Sequence, residues 1–184
     1  MPLARRRWAA ELLHFWFHEL KAAQWFDRDA AVDAELRRRF GRELAALRGR
    51  PAREFLRDRY TARAAILLFD QVPRNLFRGE PQAFATDALS RQITKGALRR
   101  GWARGLSKPE RQFLAMPLMH SEAIADQRRS LNFYAVLGDP VVLDFARSHH
   151  RMIARFGRFP HRNPALGRRS TAAELRAVAS GNAW

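Results

Sequence analysis

The sequence predicts an all-α fold of about eight antiparallel helices. Apolar residues recur at helical spacing along most of the chain. No stretch shows the sustained period-two alternation of β-branched residues that is typical of strands. Capping and stop residues separate the apolar stretches, and no linker or sharp change in composition divides the 184 residues. We therefore expect one helical domain over residues 1–184.

Two amphipathic helices are predicted in the first fifty residues. The first places apolar residues at i, i+4, i+7 and i+8, namely Trp8, Leu12, Phe15 and Trp16. The second continues this pattern with Val32, Leu36, Phe40, Leu44 and Leu47. Asp27 or Asp29 is in position to cap the second helix, and Gly49 follows its end.

Two more helices are predicted between residues 61 and 96. The segment from Thr61 to Gln71 contains the apolar run 64–69. We expect this helix to stop before Pro73, because proline disfavours helical backbone in the residue that precedes it. Phe84, Ala88 and Ile93 mark the following helix, which we expect Gly96 to end.

A capping box opens the next predicted helix. Ser107 and Glu110 have the spacing at which the hydroxyl and the carboxylate satisfy unpaired N–H groups reciprocally. This helix meets Pro117, where a break or kink is expected. A second segment then runs from about Met119 to Leu137, and Gly138 is in position to end it.

Two helices complete the predicted fold. Asp139 is an N-cap followed by Pro140 at the first helical position, and Gly157 ends the helix that they open. Thr171 and Glu174 form a second capping box, which opens a short last helix.

The chain is strongly basic. It has 34 Lys and Arg against 18 Asp and Glu, which gives a formal net charge of +16. This charge attracts polyanions, so non-specific nucleic-acid binding is one functional hypothesis. An arginine-rich surface without any polyanionic partner explains the same surplus.

Composition also bears on location. The absence of cysteine excludes disulfides and thiolate metal sites and fits a reducing compartment. The basic residues 5–7 resemble the start of a secretory signal, but Glu11, His14, His18 and Glu19 interrupt the apolar stretch such a signal needs. No segment reaches the ~18–20 apolar residues of a membrane span. We expect a cytoplasmic protein.

A polar phrase occurs twice at the ends of apolar runs. Residues 70–75 read Asp-Gln-Val-Pro-Arg-Asn, residues 159–163 read Phe-Pro-His-Arg-Asn, and a second Asp-Gln pair occupies 126–127. Arg and Asn bring directional hydrogen-bonding groups to the place where the chain turns. We predict that these helix ends converge into one polar centre. Its predicted ligand-binding residues are Asp70, Arg74, Asn75, Arg78, Gln127, Arg158, His161, Arg162, Asn163 and Arg168.

This centre has two interpretations. Arginine forks match carboxylate and phosphate, and five arginines against Asp70 and Asp126 leave positive charge for an anion. We therefore predict a groove that binds an anionic small molecule or a peptide carboxylate. Alternatively, the two aspartates pair with the same arginines and lock the helix ends, since a buried carboxylate needs a partner.

His120, Glu122 and Asp126 are the candidates for catalysis. On a helix His120 and Glu122 diverge, whereas Glu122 and Asp126 share a face and could form a paired-carboxylate acid/base site. Arg129, three residues after Asp126, is an alternative partner that would neutralise it. The enzymatic hypothesis is a hydrolase or lyase of an anionic substrate.

The sequence gives little support for a metal or cofactor site. His149 and His150 face apart on a helix, and H-E-x-x-H does not occur. Glycine-rich nucleotide loops are also missing. We predict neither a metal nor a cofactor.

Several longer motifs extend over essentially the whole chain. They are Phe15-Trp16-Phe17-x-Glu19, Trp25-Phe26, Leu68 to Gly79, Ala83-Phe84-Ala85, Met116 to Glu122, Asp126-Gln127, Arg155 to Asn163 and Leu166-Gly167-Arg168-x-Ser170-Thr171. Together they resemble the bacterial family called domain of unknown function 924. The resemblance implies an all-helical fold of the tetratricopeptide-like superfamily, whose stacked helices leave a groove for peptides or extended ligands. It implies no reaction.

Overall fold

The computed structural model describes residues 7–181, which form eight α-helices joined by short turns and 3₁₀ segments. No strand occurs in this range, so the predicted all-α class is confirmed. The helices are α1 (Arg7–His14), α2 (Ala30–Leu47), α3 (Arg59–Leu76), α4 (Asp87–Arg99), α5 (Lys108–Met119), α6 (Ile124–Leu137), α7 (Pro140–Phe156) and α8 (Ala172–Ala179).

The first two helices follow their predicted apolar faces. Leu12 of α1 is buried, and the chain then widens into a π-helical turn over Phe15–Glu19, which buries Phe15 and Trp16. Asp29, one of the two predicted caps, opens α2 by accepting hydrogen bonds from the backbone N–H groups of Ala31 and Val32. The apolar stripe of each helix therefore lies in the core.

Helix α3 does not stop before Pro73, so that predicted boundary is wrong. The helix continues through the proline to Leu76. Pro73 has no N–H to donate to the carbonyl of Phe69, four residues earlier. Thr86 supplies the missing donor, because its hydroxyl donates to the Phe69 carbonyl oxygen at 2.7 Å. A side chain from outside the helix therefore satisfies the carbonyl group that Pro73 leaves without a partner, and the helix continues.

Gly96 does not end α4, which runs on to Arg99. The predicted role of this glycine is therefore wrong. A methyl group at position 96 would overlap the side chain of Leu56, so the glycine permits a close approach between α4 and the segment before α3.

The boundary between α5 and α6 also differs from the prediction. The capping box of Ser107 and Glu110 is present, but α5 passes through Pro117 and ends at Met119. Residues 120–123 then form a turn, and α6 begins only at Ile124. The predicted second segment from Met119 is wrong, whereas its end at Gly138 is confirmed by a left-handed glycine with φ of 70°.

The two last helices begin as predicted. Asp139 accepts hydrogen bonds from the N–H groups at the start of α7, and Gly157 ends that helix in the left-handed region. Thr171 and Glu174 form the predicted reciprocal capping box of α8.

The helices bury three apolar clusters. Helix α3 packs against α1, α2, α4 and α5, and together they enclose the largest cluster. A second cluster lies between α5, α6 and α7, and a third surrounds Phe159. Across residues 7–181, no helix is both long and apolar enough to cross a membrane. The tetratricopeptide-like assignment stays a prediction.

Candidate functional site

Three separate segments meet around one cleft of about 320 Å³. They are the region from the 3₁₀ turn Pro81–Phe84 into α4, the turn between α5 and α6, and the segment around the 3₁₀ turn Pro160–Arg162. The lining residues are Pro81, Phe84, Ala85, Asp87, Ala88, Arg91, His120, Glu122, Arg162 and Leu166.

Asp70 lies behind the cleft and contacts its wall through His120. The Asp70 side chain is 1% exposed, and its two carboxylate oxygens lie 2.9 and 3.0 Å from Nδ1 of His120. Gln71 Nε2 donates to Asp70 Oδ2 at 2.6 Å. Arg74 Nη1 lies 3.3 Å from Asp70 Oδ1. A predicted ligand-binding aspartate and a predicted catalytic histidine therefore form one buried pair.

The surrounding charges fix the protonation of this pair. Burial alone would raise the pKa of Asp70, but the positive charge of Arg74 and the contact with His120 hold that pKa well below its usual range. Burial lowers the pKa of His120, and the attraction of Asp70 only partly opposes this effect, while Arg74 and Arg162 add to it. At neutral pH Asp70 is ionised and His120 is neutral.

The turn that carries His120 is held by the start of α6. Gln127 Nε2 donates to the carbonyl oxygens of Met119 and Ser121, at 2.6 and 2.7 Å. Ser121 Oγ donates to Asp126 Oδ2 at 3.0 Å. The predicted ligand residue Gln127 thus has a positioning contact, because its amide fixes the backbone on both sides of His120.

Arg74 and Arg162 come together at Asp87, as the predicted convergence of the two polar phrases requires. Arg74 Nη2 lies 3.0 Å from Asp87 Oδ1, and Arg162 Nη1 donates to Asp87 Oδ2 at 3.2 Å. One carboxylate therefore bridges two guanidinium groups that are 88 positions apart in the sequence.

Arg162 is buried between two aromatic rings. Its guanidinium carbon lies 4.7 Å from the ring centre of Phe84 and 4.5 Å from that of Phe159. Its Nη2 also donates to the His120 carbonyl oxygen at 3.1 Å. Burial, followed by repulsion from Arg74, lowers the pKa of Arg162 to about 10, so the group stays charged at neutral pH.

Glu122 and Arg168 form an ion pair at the edge of the cleft. Arg168 donates to both carboxylate oxygens of Glu122, at 2.9 and 3.0 Å, and the backbone N–H of Phe159 donates to Glu122 Oε1 at 2.8 Å. Burial raises the pKa of Glu122, but these hydrogen bonds outweigh burial and lower it overall. Glu122 therefore connects the α5–α6 turn to the segment that carries Arg162.

The premise of the paired-carboxylate hypothesis, that Glu122 and Asp126 share one helix face, is wrong. Glu122 lies in the turn before α6 and binds Arg168, whereas Asp126 lies in the first turn of α6. Lys95 Nζ is 2.6 Å from Asp126 Oδ1 and Arg91 Nε is 3.5 Å from Asp126 Oδ2. The expected neutralising partner, Arg129, is farther away than either of these residues, with its nearest nitrogen 3.9 Å from Asp126 Oδ1. The two carboxylates thus have separate cationic partners.

Other predicted ligand residues form contacts outside the cleft lining. Arg78 donates to both carboxylate oxygens of Asp33 on α2 and also to Asn75 Oδ1. Arg158 donates to both carboxylate oxygens of Glu174. These contacts fit the alternative interpretation, in which the arginines lock helix ends.

Two other predicted ligand residues lie near Arg162 in the sequence. Asn163 is fully buried, and its amide donates to Ser170 Oγ at 3.0 Å. The ring of His161 lies 5.6 Å from that of Phe159. Neither residue lines the cleft.

The partners of the arginines reduce the charge surplus expected from the sequence. Asp33, Asp87, Glu122 and Glu174 all pair with arginines that were expected to be available. The predicted surplus of five arginines over two aspartates is therefore wrong, because it did not count these four carboxylates. Near the cleft, one extra cation remains, because Arg91 and Lys95 share Asp126.

Among the cleft residues that were not predicted, three carry a charge or cover one. Asp87 bridges two arginines, Phe84 covers one of them, and Arg91 lines the opening. Asp87 follows the motif Ala83-Phe84-Ala85 and starts a helix, where an acidic residue is also favoured for purely local reasons. Local sequence could not separate these two roles.

Three histidines lie close to one another behind and beside the cleft. The ring centres of His120 and His149 are 6.1 Å apart. Burial lowers the pKa of His149 to about 3, and burial followed by repulsion from Arg162 lowers the pKa of His161 to about 3. Within residues 7–181, no group of three or more His, Cys, Asp and Glu side chains is arranged to hold a metal ion.

Comparison with known proteins agrees with the resemblance found in the sequence. Residues 12–182 match a family described as bacterial protein of unknown function (DUF924). The chain is also similar to a solved structure of a protein of unknown function from Agrobacterium tumefaciens, with 38% identity and a TM-score of 0.88. That similarity covers 94% of this chain and 97% of the other. No curated protein matches the chain. The chain belongs to the bacterial family of unknown function DUF924.

Proposed function

We propose that the cleft binds a small molecule through a carboxylate or phosphate group, with Arg162 as the principal contact. Arg162 is the observation that carries this proposal. The guanidinium has five N–H donors, and only two hydrogen bonds from it are formed within residues 7–181. It shares Asp87 with Arg74, which also pairs with Asp70. The N–H groups of Arg162 that have no partner in the described part of the chain, rather than a surplus of its charge, therefore favour an anion.

The shape of the cleft favours a small ligand over a peptide. Its volume of about 320 Å³ lies at the lower end of the range of ~300–1,000 Å³ for small-molecule sites. Pro81, Phe84 and Leu166 supply an apolar wall, while Arg91 and Arg162 supply cations. This combination suits a compact anion with a short apolar body.

Binding of inorganic phosphate and of benzoate, measured by isothermal titration calorimetry, tests the proposal. A hydrogen bond from a charged group is worth about 1.5–3 kcal/mol, so Arg162→Met should weaken binding of the preferred anion by about 10- to 150-fold. Arg158→Met is the matched control. It removes the same charge from a residue that does not line the cleft and is already paired with Glu174, so it should change affinity less than about threefold, since a partly exposed, paired charge is screened.

Arg162→Lys separates charge from geometry. Lysine keeps the charge but lacks the planar fork, so its affinity should lie between those of wild type and Arg162→Met. Absence of binding by wild type, or equal weakening by the Arg158 and Arg162 variants, would contradict the proposal. The melting temperature of each variant shows whether the fold survives the substitution.

Acid/base chemistry is the second candidate function, and the Asp70–His120 contact favours it. Of the three catalytic candidates, His120 alone combines a buried carboxylate partner with a place in the cleft lining. Glu122 also lines the cleft but is held by Arg168, and Asp126 is held by Lys95. A hydrolase or lyase would therefore depend on His120.

Non-specific nucleic-acid binding stays a prediction based on the net charge of +16. If it occurs through charge alone, the logarithm of the association constant should fall linearly with the logarithm of the salt concentration and should not depend on sequence.

A further inference from the structure

We propose that His120 is a general base for the hydrolysis of a small phosphate ester held by Arg162, with Asp70 as the positioning residue of His120. This inference rests on the proposed anion site and assigns it a substrate class and a reaction.

The contact with Asp70 determines which nitrogen of His120 is available. An ionised carboxylate only accepts hydrogen bonds, so Nδ1 of a neutral His120 must carry the proton that it shares with Asp70. The lone pair of the imidazole is then on Nε2. No hydrogen bond to Nε2 is formed within residues 7–181, and the side chain is 15% exposed in the wall of the cleft.

The alternative of a simple Asp–His ion pair is less consistent with the neighbouring charges. Asp70 already has Arg74 as a cationic partner, 3.3 Å away. The guanidinium of Arg162 lies against the backbone of the same histidine. Two nearby positive charges disfavour a third on the ring, so His120 is kept in the form that accepts a proton.

Arg162 is placed to hold the phosphoryl group beside this base. Its Nη2 donates to the carbonyl oxygen of His120 itself, so the guanidinium and the imidazole belong to the same wall. Arginine clamps stabilise the charge that develops on a transferring phosphoryl group. Arg91 supplies a second cation, while the carboxylates of Asp87 and Glu122 are each paired with arginine.

The reaction balances without an oxidant or a further reactant. A water oxygen forms a bond to phosphorus while a proton of that water passes to Nε2 of His120. The bond between phosphorus and the ester oxygen breaks on the side opposite the attacking water, the departing alkoxide takes a proton from solvent water, and His120 returns its proton to the resulting hydroxide. The products are inorganic phosphate and an alcohol.

Hydrolysis of 4-nitrophenyl phosphate and glycerol phosphate, followed by phosphate release, tests this inference. General-base catalysis contributes about 10²–10⁴-fold, so His120→Gln should reduce kcat/KM by at least about 100-fold. The same variant should bind inorganic phosphate within about threefold of wild type. Arg162→Met should lose both binding and turnover.

The outcomes separate the two proposals. Phosphate binding that depends on Arg162, without hydrolysis above the His120→Gln background, would overturn the catalytic role and leave the binding site intact. Absence of both binding and hydrolysis would overturn both proposals. Turnover unchanged in His120→Gln would also exclude this histidine as the base.

The pH profile tests Asp70 as a positioning residue. Asp70 raises the pKa of His120, so Asp70→Asn should move the acidic limb of kcat/KM to lower pH as well as reduce the rate. A purely structural role would leave that limb in place. The charged and titratable groups that act on His120 are Asp70 and Arg74 from α3, His149 from α7, and His161 and Arg162 from the following segment.

Nitrogen NMR of His120 covers the case in which Asp70→Asn fails to fold. In wild-type protein at neutral pH, the ¹⁵N shifts should show a protonated Nδ1 and an unprotonated Nε2. Protonation of Nε2 instead would overturn the proposal without any need for a substrate.

Discussion

Single side chains from distant segments satisfy groups that the local sequence leaves unpaired. The Phe69 carbonyl loses its helical partner because Pro73 has no N–H, and the Thr86 hydroxyl replaces that partner. Thr86 is buried, so water cannot take over this role if the hydroxyl is removed. The hydroxyl thus allows α3 to continue past the proline, so that Arg74 lies on the helix one residue after Pro73.

Substitution of Thr86 measures this contribution. Thr86→Val keeps the shape of the side chain but leaves the Phe69 carbonyl unsatisfied, so the free energy of unfolding should fall by about 1–3 kcal/mol. Thr86→Ser keeps the hydroxyl and should lose clearly less. Chemical denaturation of the three proteins provides the comparison, and equal losses in both variants would contradict the role of the hydroxyl.

At the scale of helices, the predictions succeeded where the determining interaction is local. Asp29, Ser107 with Glu110, and Thr171 with Glu174 cap helices through groups at most three residues away, so their spacing in the sequence is sufficient. Pro73 and Gly96 were misinterpreted because their outcome depends on Thr86 and Leu56, which belong to other elements. No local pattern contains that information.

Gly96 provides a test of close packing between elements. Gly96→Ala adds a methyl group that overlaps the end of the Leu56 side chain, which must move, so the variant should not gain the ~1 kcal/mol that alanine normally adds in a helix. In the double variant with Leu56→Ala, the added methyl group should no longer be harmful. Thermal and denaturant unfolding of the four proteins in this cycle give the coupling energy, and its absence would contradict the packing role.

At the scale of the whole molecule, the structure shows one of the spatial convergences that the sequence predicted. Arg74 and Arg162 do converge, because the last turns of α3 and the segment after α7 both reach Asp87. Arg78 and Arg158 instead bind Asp33 and Glu174. Arginine at a helix end cannot indicate by itself whether its partner is a ligand or a carboxylate of the fold.

The buried histidines make stability depend on pH. His149 and His161 have pKa values lowered to about 3 in the folded protein, against ~6.5 in an unfolded chain. Unfolding therefore takes up protons, and the stability present above pH ~6.5 is lost as pH falls toward 3. Between pH 7 and 5 each of these histidines should remove on the order of 1–2 kcal/mol.

Urea unfolding between pH 7 and 5 checks this dependence. Carboxylates of an unfolded chain titrate mainly below pH ~4.5, so the histidines dominate this interval. His149→Leu removes one of the titrating groups and should reduce the pH dependence. A free energy of unfolding that stays constant or rises toward pH 5 would contradict the burial of neutral histidines.

The central claim is that one positively charged cleft, centred on Arg162, receives an anion. The most direct test is to follow the ¹H–¹⁵N side-chain resonances of arginine while inorganic phosphate is added to the wild-type protein. The Arg162 resonance should shift with saturation, whereas that of Arg158, which is held by Glu174 outside the cleft lining, should stay in place. An unmoved Arg162 resonance, or equal and unsaturable shifts of both arginines, would contradict the claim.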